Sequence, residues 1–266
     1  MTSIDYAADL ELALRAARAA GEAVMPWFRA EAEVRFKSPD QPVTEADLAA
    51  DRLLQEMLLG ERPDYGWLSE ETKDTPARLE KERLWVVDPI DGTNSFVQGR
   101  AEFAISVALV DRGRAVVGVV YNPAAGELYH AVAGGGAFLD GAPIRVSRTD
   151  EAAEARTVGA SRWEMRRGEF DHFVAPWKVL PLGSTAWKMA KVADGTIDVF
   201  VSAGPKAEWD VAGAAVIVAE AGGRVTGPLG RELTYNQPNP AWRGVIASNG
   251  LLHDAVLAMD PSHLSS

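Results

Sequence analysis

From Leu84 onward the chain runs in short apolar, β-branched stretches: LWVV over 84–87, FAISVALV over 103–110 and AVVGVVY over 115–121. The tetrad Asp111-Arg112-Gly113-Arg114 joins the last two, and such a turn between apolar runs predicts a hairpin. The stretch GELYHAVAGGGAFLDGAPIRVS continues the same sheet through glycine-rich turns and ends at Ser147. Before this sheet the period is helical. Residues 4–30 read as one alanine-rich helix with Leu10, Leu14 and Ala17 on a face, and a second helix is predicted to start at Thr44. Thr44 and Asp47 stand there at capping-box spacing, followed by Leu54, Met57 and Leu58 as an apolar face. Between the helices, FKSPDQPVTEAD reads as a polar, proline-marked connection.

The charged stretch RTDEAAEAR, residues 148–156, has no apolar period and marks a boundary. The expected division is an N-terminal helix-plus-antiparallel-sheet part over 1–147 and a C-terminal α/β part over 148–266. In the second part helices and strands alternate. A helix in TAWKMAKVAD is stopped by Gly195, and a strand follows in TIDVFVS. A helix from Trp209 to Ala221, a strand in RGVIAS and a final helix complete it, so the expected class is α/β, layered.

The strongest local signal is WVVDPIDGTNSF, where an apolar strand runs directly into Asp88-Pro89-Ile90-Asp91-Gly92-Thr93. Asp-Gly and Pro form turns without any function. Here, however, the turn leaves two carboxylates at the end of a buried strand, which is costly unless a cation pairs with them. Hard divalent ions such as magnesium take oxygen ligands, and a carboxylate pair on a tight turn can bind or bridge two of them. If Gly92 and Thr93 open a helix, their N–H groups point at the same spot and would accept a phosphate. Asp210, at the expected start of the helix in EWDVAGA, reads either as an N-cap or as a carboxylate aimed into a cleft. Glu70 and Glu71 follow Trp67-Leu68-Ser69, and Lys37 lies in the polar connection; alone, each reads as a surface residue.

Composition removes rival chemistries. With no cysteine among 266 residues, disulfides, thiolate metal sites and cysteine nucleophiles are excluded. A net charge of -11 argues against broad contact with nucleic acid or anionic membrane. No segment is apolar enough to cross a bilayer, and the first residues lack the basic start and apolar run of a signal peptide. The expectation is a cytoplasmic protein. Its four histidines show no paired metal spacing, Gly134–Gly136 read as a turn, and Trp163, Trp177 and Trp187 read as core or interface.

WLSEE, DPIDGTNSF and WDVAGA, in that order and at these separations, resemble the inositol monophosphatase family of magnesium-dependent, lithium-sensitive phosphatases. The resemblance spans the Lys37–Asp47 connection through Gly223. It implies an α-β-α-β-α sandwich of the sugar-phosphatase type. It also implies two or three magnesium ions that activate water against a small phosphate ester. By resemblance Glu70, Asp88 and the Ile90 carbonyl hold the first ion and Asp88, Asp91 and Asp210 the second, with a third, weaker one near Glu70. Gly92 and Thr93 match the phosphate-binding turn, the Thr93 hydroxyl pairs with Asp47 to orient water, and Lys37 is the cation beside the site. Gly183-Ser184-Thr185-Ala186 matches a substrate-side loop and puts Ala186 near the substrate. The family also implies a homodimer.

The resemblance departs from the inositol pattern at one place. Inositol-preferring members carry an acid seven positions before the last aspartate, where this chain has Ala203. Gly204–Asp210 and Leu233–Asn236 look more like 3'(2'),5'-bisphosphate nucleotidases, whereas DGTNSF is closer to inositol and histidinol phosphatases. The expected substrate is inositol 1-phosphate or a similar polyol or sugar phosphate. A bisphosphate nucleotide and histidinol phosphate are the alternatives. A regulatory binding protein of a transcription complex is the rival of a different class.

Overall fold

The computed structural model describes residues 5–28, 34–38 and 41–259. Helix α1 spans Ala7–Val24, and a strand hairpin, β1 (Val34–Ser38) and β2 (Gln41–Thr44), leads into α2 (Glu45–Glu61). The polar connection is therefore a two-stranded ribbon rather than a loop. Its alternation is too short and too polar to register as strand in the sequence. The apolar stripe of α1 is also rotated from the expected face. Leu12, Ala13, Ala16, Ala17, Ala20 and Val24 are buried, while Leu10 and Leu14 sit half-buried beside it.

The first sheet comprises β3 (Gly66–Ser69), β4 (Arg83–Asp91), β5 (Ala104–Asp111), β6 (Arg114–Asn122), β7 (Glu127–Val132), β8 (Ala137–Leu139) and β9 (Ala142–Pro143), with α3 (Thr93–Val97) inserted after β4. These seven strands pair in sequence order, β3 parallel to β4 and the rest antiparallel. Both faces are buried, which explains the near-continuous apolar runs. Trp85, Val87, Ile105 and Val107 face α1 and α2, while Leu84, Val86, Ala108 and Val120 face the opposite way.

The second half begins with β10 (Arg156–Ala160), α4 (Arg162–Arg166), β11 (Trp177–Pro181), α5 (Thr185–Ala193), β12 (Val199–Ser202) and the short β13 (Lys206–Ala207). It continues with α6 (Glu208–Glu220), β14 (Arg224–Thr226), β15 (Ala241–Trp242), β16 (Val245–Ser248) and α7 (His253–Ala258). A five-stranded sheet runs in the order β11-β10-β12-β16-β14. Helices α5 and α6 fill the space between the two sheets, with Met189, Val211 and Ile217 packed among Val86, Val120, Phe200 and Ala247. On the far face Val158, Val199 and Ile246 pack against Leu252 and Val256 of the α7 segment and against Phe170, Phe173 and Met165. The layers are helix, sheet, helix, sheet, helix, the α-β-α-β-α sandwich that the sequence led us to expect. No helix among the described residues is long and apolar enough to cross a membrane.

Candidate metal centre

The site grows from the end of β4. The ladder with β5 runs unbroken to Asp88↔Ser106 and resumes only at Asp91↔Ala104. Pro89 has no N–H to give the ladder, and the Ile90 N–H turns inward to Asp88 Oδ1 at 3.1 Å. Gly92 then takes φ +95 as the N-cap of α3, a conformation that leaves glycine as the residue of choice. The expected turn into a helix is present.

Asp210 arrives from the other half. It is the third residue of α6 and not its N-cap, which is Ala207; its Oδ2 accepts the Ala207 N–H at 2.8 Å. Alanine cannot cap with its side chain, so the aspartate one turn in does so by reaching back. Oxygens of Asp88, Asp91 and Asp210 all lie within 4.8 Å of one another. Glu70, which follows the end of β3, stands next to them, since Ser69 pairs with Val87 and the Glu70 N–H donates to the Val87 carbonyl.

One oxygen of the cluster has no protein partner among the described residues. Asp88 Oδ2 is buried and takes no hydrogen bond from any described residue. Burial first, and then the charges of Glu70, Asp91, Asp210 and Asp47, hold the Asp88 carboxyl well above the usual range. Burial also pushes Asp210 up to about 7; Lys206 opposes the rise, and Asp91 and Glu70 add to it. A divalent cation removes both problems at once, as it supplies the partner for the orphan oxygen and the charge that the cluster lacks. The all-oxygen donor set fits magnesium.

Around the cluster, Asp47 is held twice by the start of α2, its Oδ2 accepting Thr44 N–H at 2.7 Å and Thr44 Oγ1 at 2.6 Å. That capping box leaves Asp47 Oδ1 to the Thr93 hydroxyl at 3.2 Å, and Thr93 Oγ1 also lies 3.0 Å from the Ile90 carbonyl. The Asp47–Thr93 pair is thus in place. The side chain of Lys37 lies outside the described residues. Ala186 reaches the site through its backbone, its N–H donating to Asp91 Oδ2 at 2.6 Å. Sequence reasoning placed Ser184 in the substrate-side loop but missed its role: its hydroxyl donates to the same oxygen, and its φ of +57 is rare for a residue with a side chain. Nothing local in the sequence marks that role, because the two partners lie 93 positions apart.

Beside Ala203 and Gly204 a cavity of about 740 Å³ opens against Arg167 and His172. Trp163 is 52% exposed with the Arg167 guanidinium over its ring, so it is not a core residue. His253 is buried between Thr226 and Ser248, and His130 stacks on Phe138, both structural places.

The sequence profile described as "Inositol monophosphatase family" matches residues 5–263. "Inositol monophosphatase 3" of Solanum lycopersicum is 35% identical over 258 residues, covering 93% of this chain and 94% of that protein. The "3'(2'),5'-bisphosphate nucleotidase CysQ" of Aggregatibacter actinomycetemcomitans is 32% identical over 236 residues, 86% of this chain and 87% of that protein. Among solved structures, the Thermotoga maritima IMPase superposes with a TM-score of 0.85 at 32% identity, covering 97% of this chain and 98% of that one.

Proposed function

This chain belongs to the inositol monophosphatase family and is a phosphoric monoester hydrolase; we propose that it catalyses magnesium-dependent hydrolysis of inositol 1-phosphate or a similar polyol or sugar phosphate. The observation that carries the metal dependence is the buried, unpartnered Asp88 Oδ2 among the carboxylates of Asp91 and Asp210. Glu70, Asp88 and the Ile90 carbonyl would hold one ion, and Asp88, Asp91 and Asp210 another. Bound there, the ions would lower the pKa of water and stabilise charge on the attacking and leaving oxygens of an in-line displacement.

The chain's own groups do the rest. Thr93 Oγ1 sits between two acceptors, Asp47 Oδ1 and the Ile90 carbonyl, so its proton is committed to them and its lone pairs are left to orient water. The Gly92–Thr93 turn gives backbone N–H groups for the phosphate, and Asp91 is fixed by Ser184 and Ala186 so that it cannot swing onto that turn. No cysteine is present, which fits direct attack by water rather than a thiol-linked intermediate.

A second reading, a 3'(2'),5'-bisphosphate nucleotide, is favoured by Ala203 and Lys206. The first removes an acid from the position that faces the sugar in inositol-preferring relatives. The second puts a cation close enough to oppose the rise of Asp210, and a second phosphate could use it. Phosphate release from inositol 1-phosphate, adenosine 3',5'-bisphosphate, histidinol phosphate and fructose 1,6-bisphosphate, each with Mg2+ or with chelator, tests both. The expected result is Mg2+-dependent release with one kcat/KM dominant. Release that persists in chelator would overturn the metal assignment.

A further inference from the structure

We infer that Glu102 and Arg162 act as a positioning pair for the metal centre, holding the Leu182–Ala186 strap that fixes Asp91. The inference rests on the reading of this site as a magnesium-dependent phosphatase. Neither residue belongs to the cluster itself.

The strap is where the geometry concentrates. Ser184 Oγ and Ala186 N–H both donate to Asp91 Oδ2, and Trp187 N–H returns to Ser184 Oγ at 3.0 Å. For Ser184 to deliver its hydroxyl, its backbone takes a positive φ of 57 with ψ 131, which persists only when the surroundings over-determine it. Three contacts do so. Leu182 N–H donates to the Ala160 carbonyl at 2.9 Å, and the buried Lys188 Nζ donates to the Leu182 carbonyl at 3.3 Å. Gly183 N–H donates to Glu102 Oε2 at 2.8 Å, immediately before the strained residue.

Glu102 is in turn gripped by Arg162, Nη2 to Oε1 at 2.7 Å and Nη1 to Oε2, in a two-pronged contact. Arg162 opens α4, whose Ser161–Glu164 capping box sets its direction. The Glu102 backbone also lies against both turns of the site. A β-carbon on Gly92 would lie 2.9 Å from the Glu102 carbonyl oxygen, and one on Gly183 would lie 2.7 Å from it. One residue thus touches the phosphate turn with its main chain and the Asp91 strap with its carboxylate, and Arg162 anchors it to the outer layer. Burial opposes charge on Glu102, but Arg162 and the Gly183 N–H outweigh it and hold the carboxyl below its ordinary value, so the pair is ionised at neutral pH.

An ordinary exposed ion pair contributes little. This pair differs because the same carboxylate oxygen serves Arg162 and Gly183. The test is Mg2+ calorimetry, melting temperature and steady-state kinetics on four proteins: Glu102→Ala, Arg162→Met, the double variant, and the exchange Glu102→Arg with Arg162→Glu. Groups that orient metal ligands typically cost about 10–100-fold on removal. We expect Glu102→Ala to bind Mg2+ about 10-fold more weakly and to lose kcat by about 10–100-fold, with KM for the ester within about 2-fold. Arg162→Met should weaken Mg2+ binding about 3–10-fold, and the double variant should be no worse than Glu102→Ala, because the two act in series. The exchange should regain melting temperature but not Mg2+ affinity, since it leaves Gly183 N–H facing a cation. Mg2+ affinity within about 2-fold of wild type in folded Glu102→Ala, or restored by the exchange, would overturn the inference. If Glu102→Ala does not fold, Arg162→Met decides by the same measure, since it keeps the acceptor of Gly183. A protein that binds Mg2+ yet hydrolyses no ester would sink the proposed function while calorimetry still decides this inference.

Discussion

Gly118 on β6 and Gly213 on α6 approach so closely that a β-carbon on Gly118 would fall on the Gly213 carbonyl. Gly213 is confined less severely, since a β-carbon there would lie 3.1 Å from both Ser106 Oγ and the Val107 carbonyl. The helix that carries Asp210 is therefore seated directly on the sheet that carries Asp88 and Asp91, and the two halves of the metal centre are registered by a contact between glycines. Gly118→Ala should cost about 1–3 kcal/mol from overpacking and should also weaken Mg2+ binding, because α6 must lift. Gly213→Ala, with room to give by a few tenths of an ångström, should show a smaller loss of both. Melts with and without Mg2+ check the order; equal Mg2+ affinity in Gly118→Ala and wild type would refute it.

The crowding of Asp88 gives a prediction of opposite sign. Without metal, this carboxylate is buried, lacks a partner at Oδ2 and faces like charges. Asp88→Asn removes the charge at nearly constant volume. In chelator the variant should melt higher than wild type, by about 1–3 kcal/mol of relieved desolvation and repulsion. Wild type should gain about 2.7 kcal/mol at a Mg2+ concentration 100 times its Kd, whereas the variant should gain almost nothing. Identical melts of the two proteins in chelator would show that the cluster carries no such strain.

Much of the site was legible because its parts are local. The strand that ends in Asp88-Pro89-Ile90-Asp91 and the Thr44–Asp47 capping box each declare themselves within a few residues, and the structure has both. Asp210 was legible as a helix-start residue, readable as a cap or as a cleft carboxylate; it is the third residue of α6, and pattern alone does not separate the cap from the third position. The β1–β2 ribbon escaped notice since its apolar alternation, Val34 and Phe36 against Arg35 and Lys37, spans only four residues. Glu102 and Arg162 were not legible, and Ser184 was legible only as part of a substrate-side loop, not as a partner of Asp91. Their partners are 93, 81 and 60 positions away, so only the tertiary fold brings them together. The stripe of α1 was misjudged for a related reason. Alanine outnumbers larger apolar residues there, and close packing buries Ala17, as expected, but with Ala13 and Ala16 rather than Leu10 and Leu14.

The Thr93 hydroxyl is shared between Asp47 Oδ1 and the Ile90 carbonyl, so it ties α2 to the Gly92–Thr93 turn. Thr93→Ala should lower kcat about 10²-fold, the lower end of what a positioned proton acceptor or donor contributes. Thr93→Ser retains the hydroxyl and should recover most of the loss. Asp47→Asn should resemble Thr93→Ala, and combining the two should add little, as befits residues acting as one unit. Initial rates at saturating Mg2+ decide this. A Thr93→Ala enzyme with wild-type kcat would remove the hydroxyl from the mechanism.

The buried His253 sets an acid limit on stability that is independent of the metal centre. Thr226 Oγ1 lies 2.9 Å from its Nε2 and Ser248 Oγ 2.8 Å from its Nδ1, inside the packing of α7 on the second sheet. Burial, with help from Arg224 and against Asp254, pushes the ring down from 6.5 to about 4. The unfolded chain therefore takes up a proton below about 6.5, and the folded chain does so only below about 4. Between these values the unfolded state binds more protons, so stability falls as pH falls, and the loss levels off once both states are protonated. A shift of this size corresponds to about 3 kcal/mol between pH 7 and pH 4. Replacing the ring by an amide, His253→Gln, removes that titration while keeping a hydrogen-bonding side chain. Urea unfolding across pH 4–7 should then show a shallower acid slope in the variant than in wild type by about that amount. Parallel slopes for the two proteins would mean that His253 is already charged in the fold at pH 5.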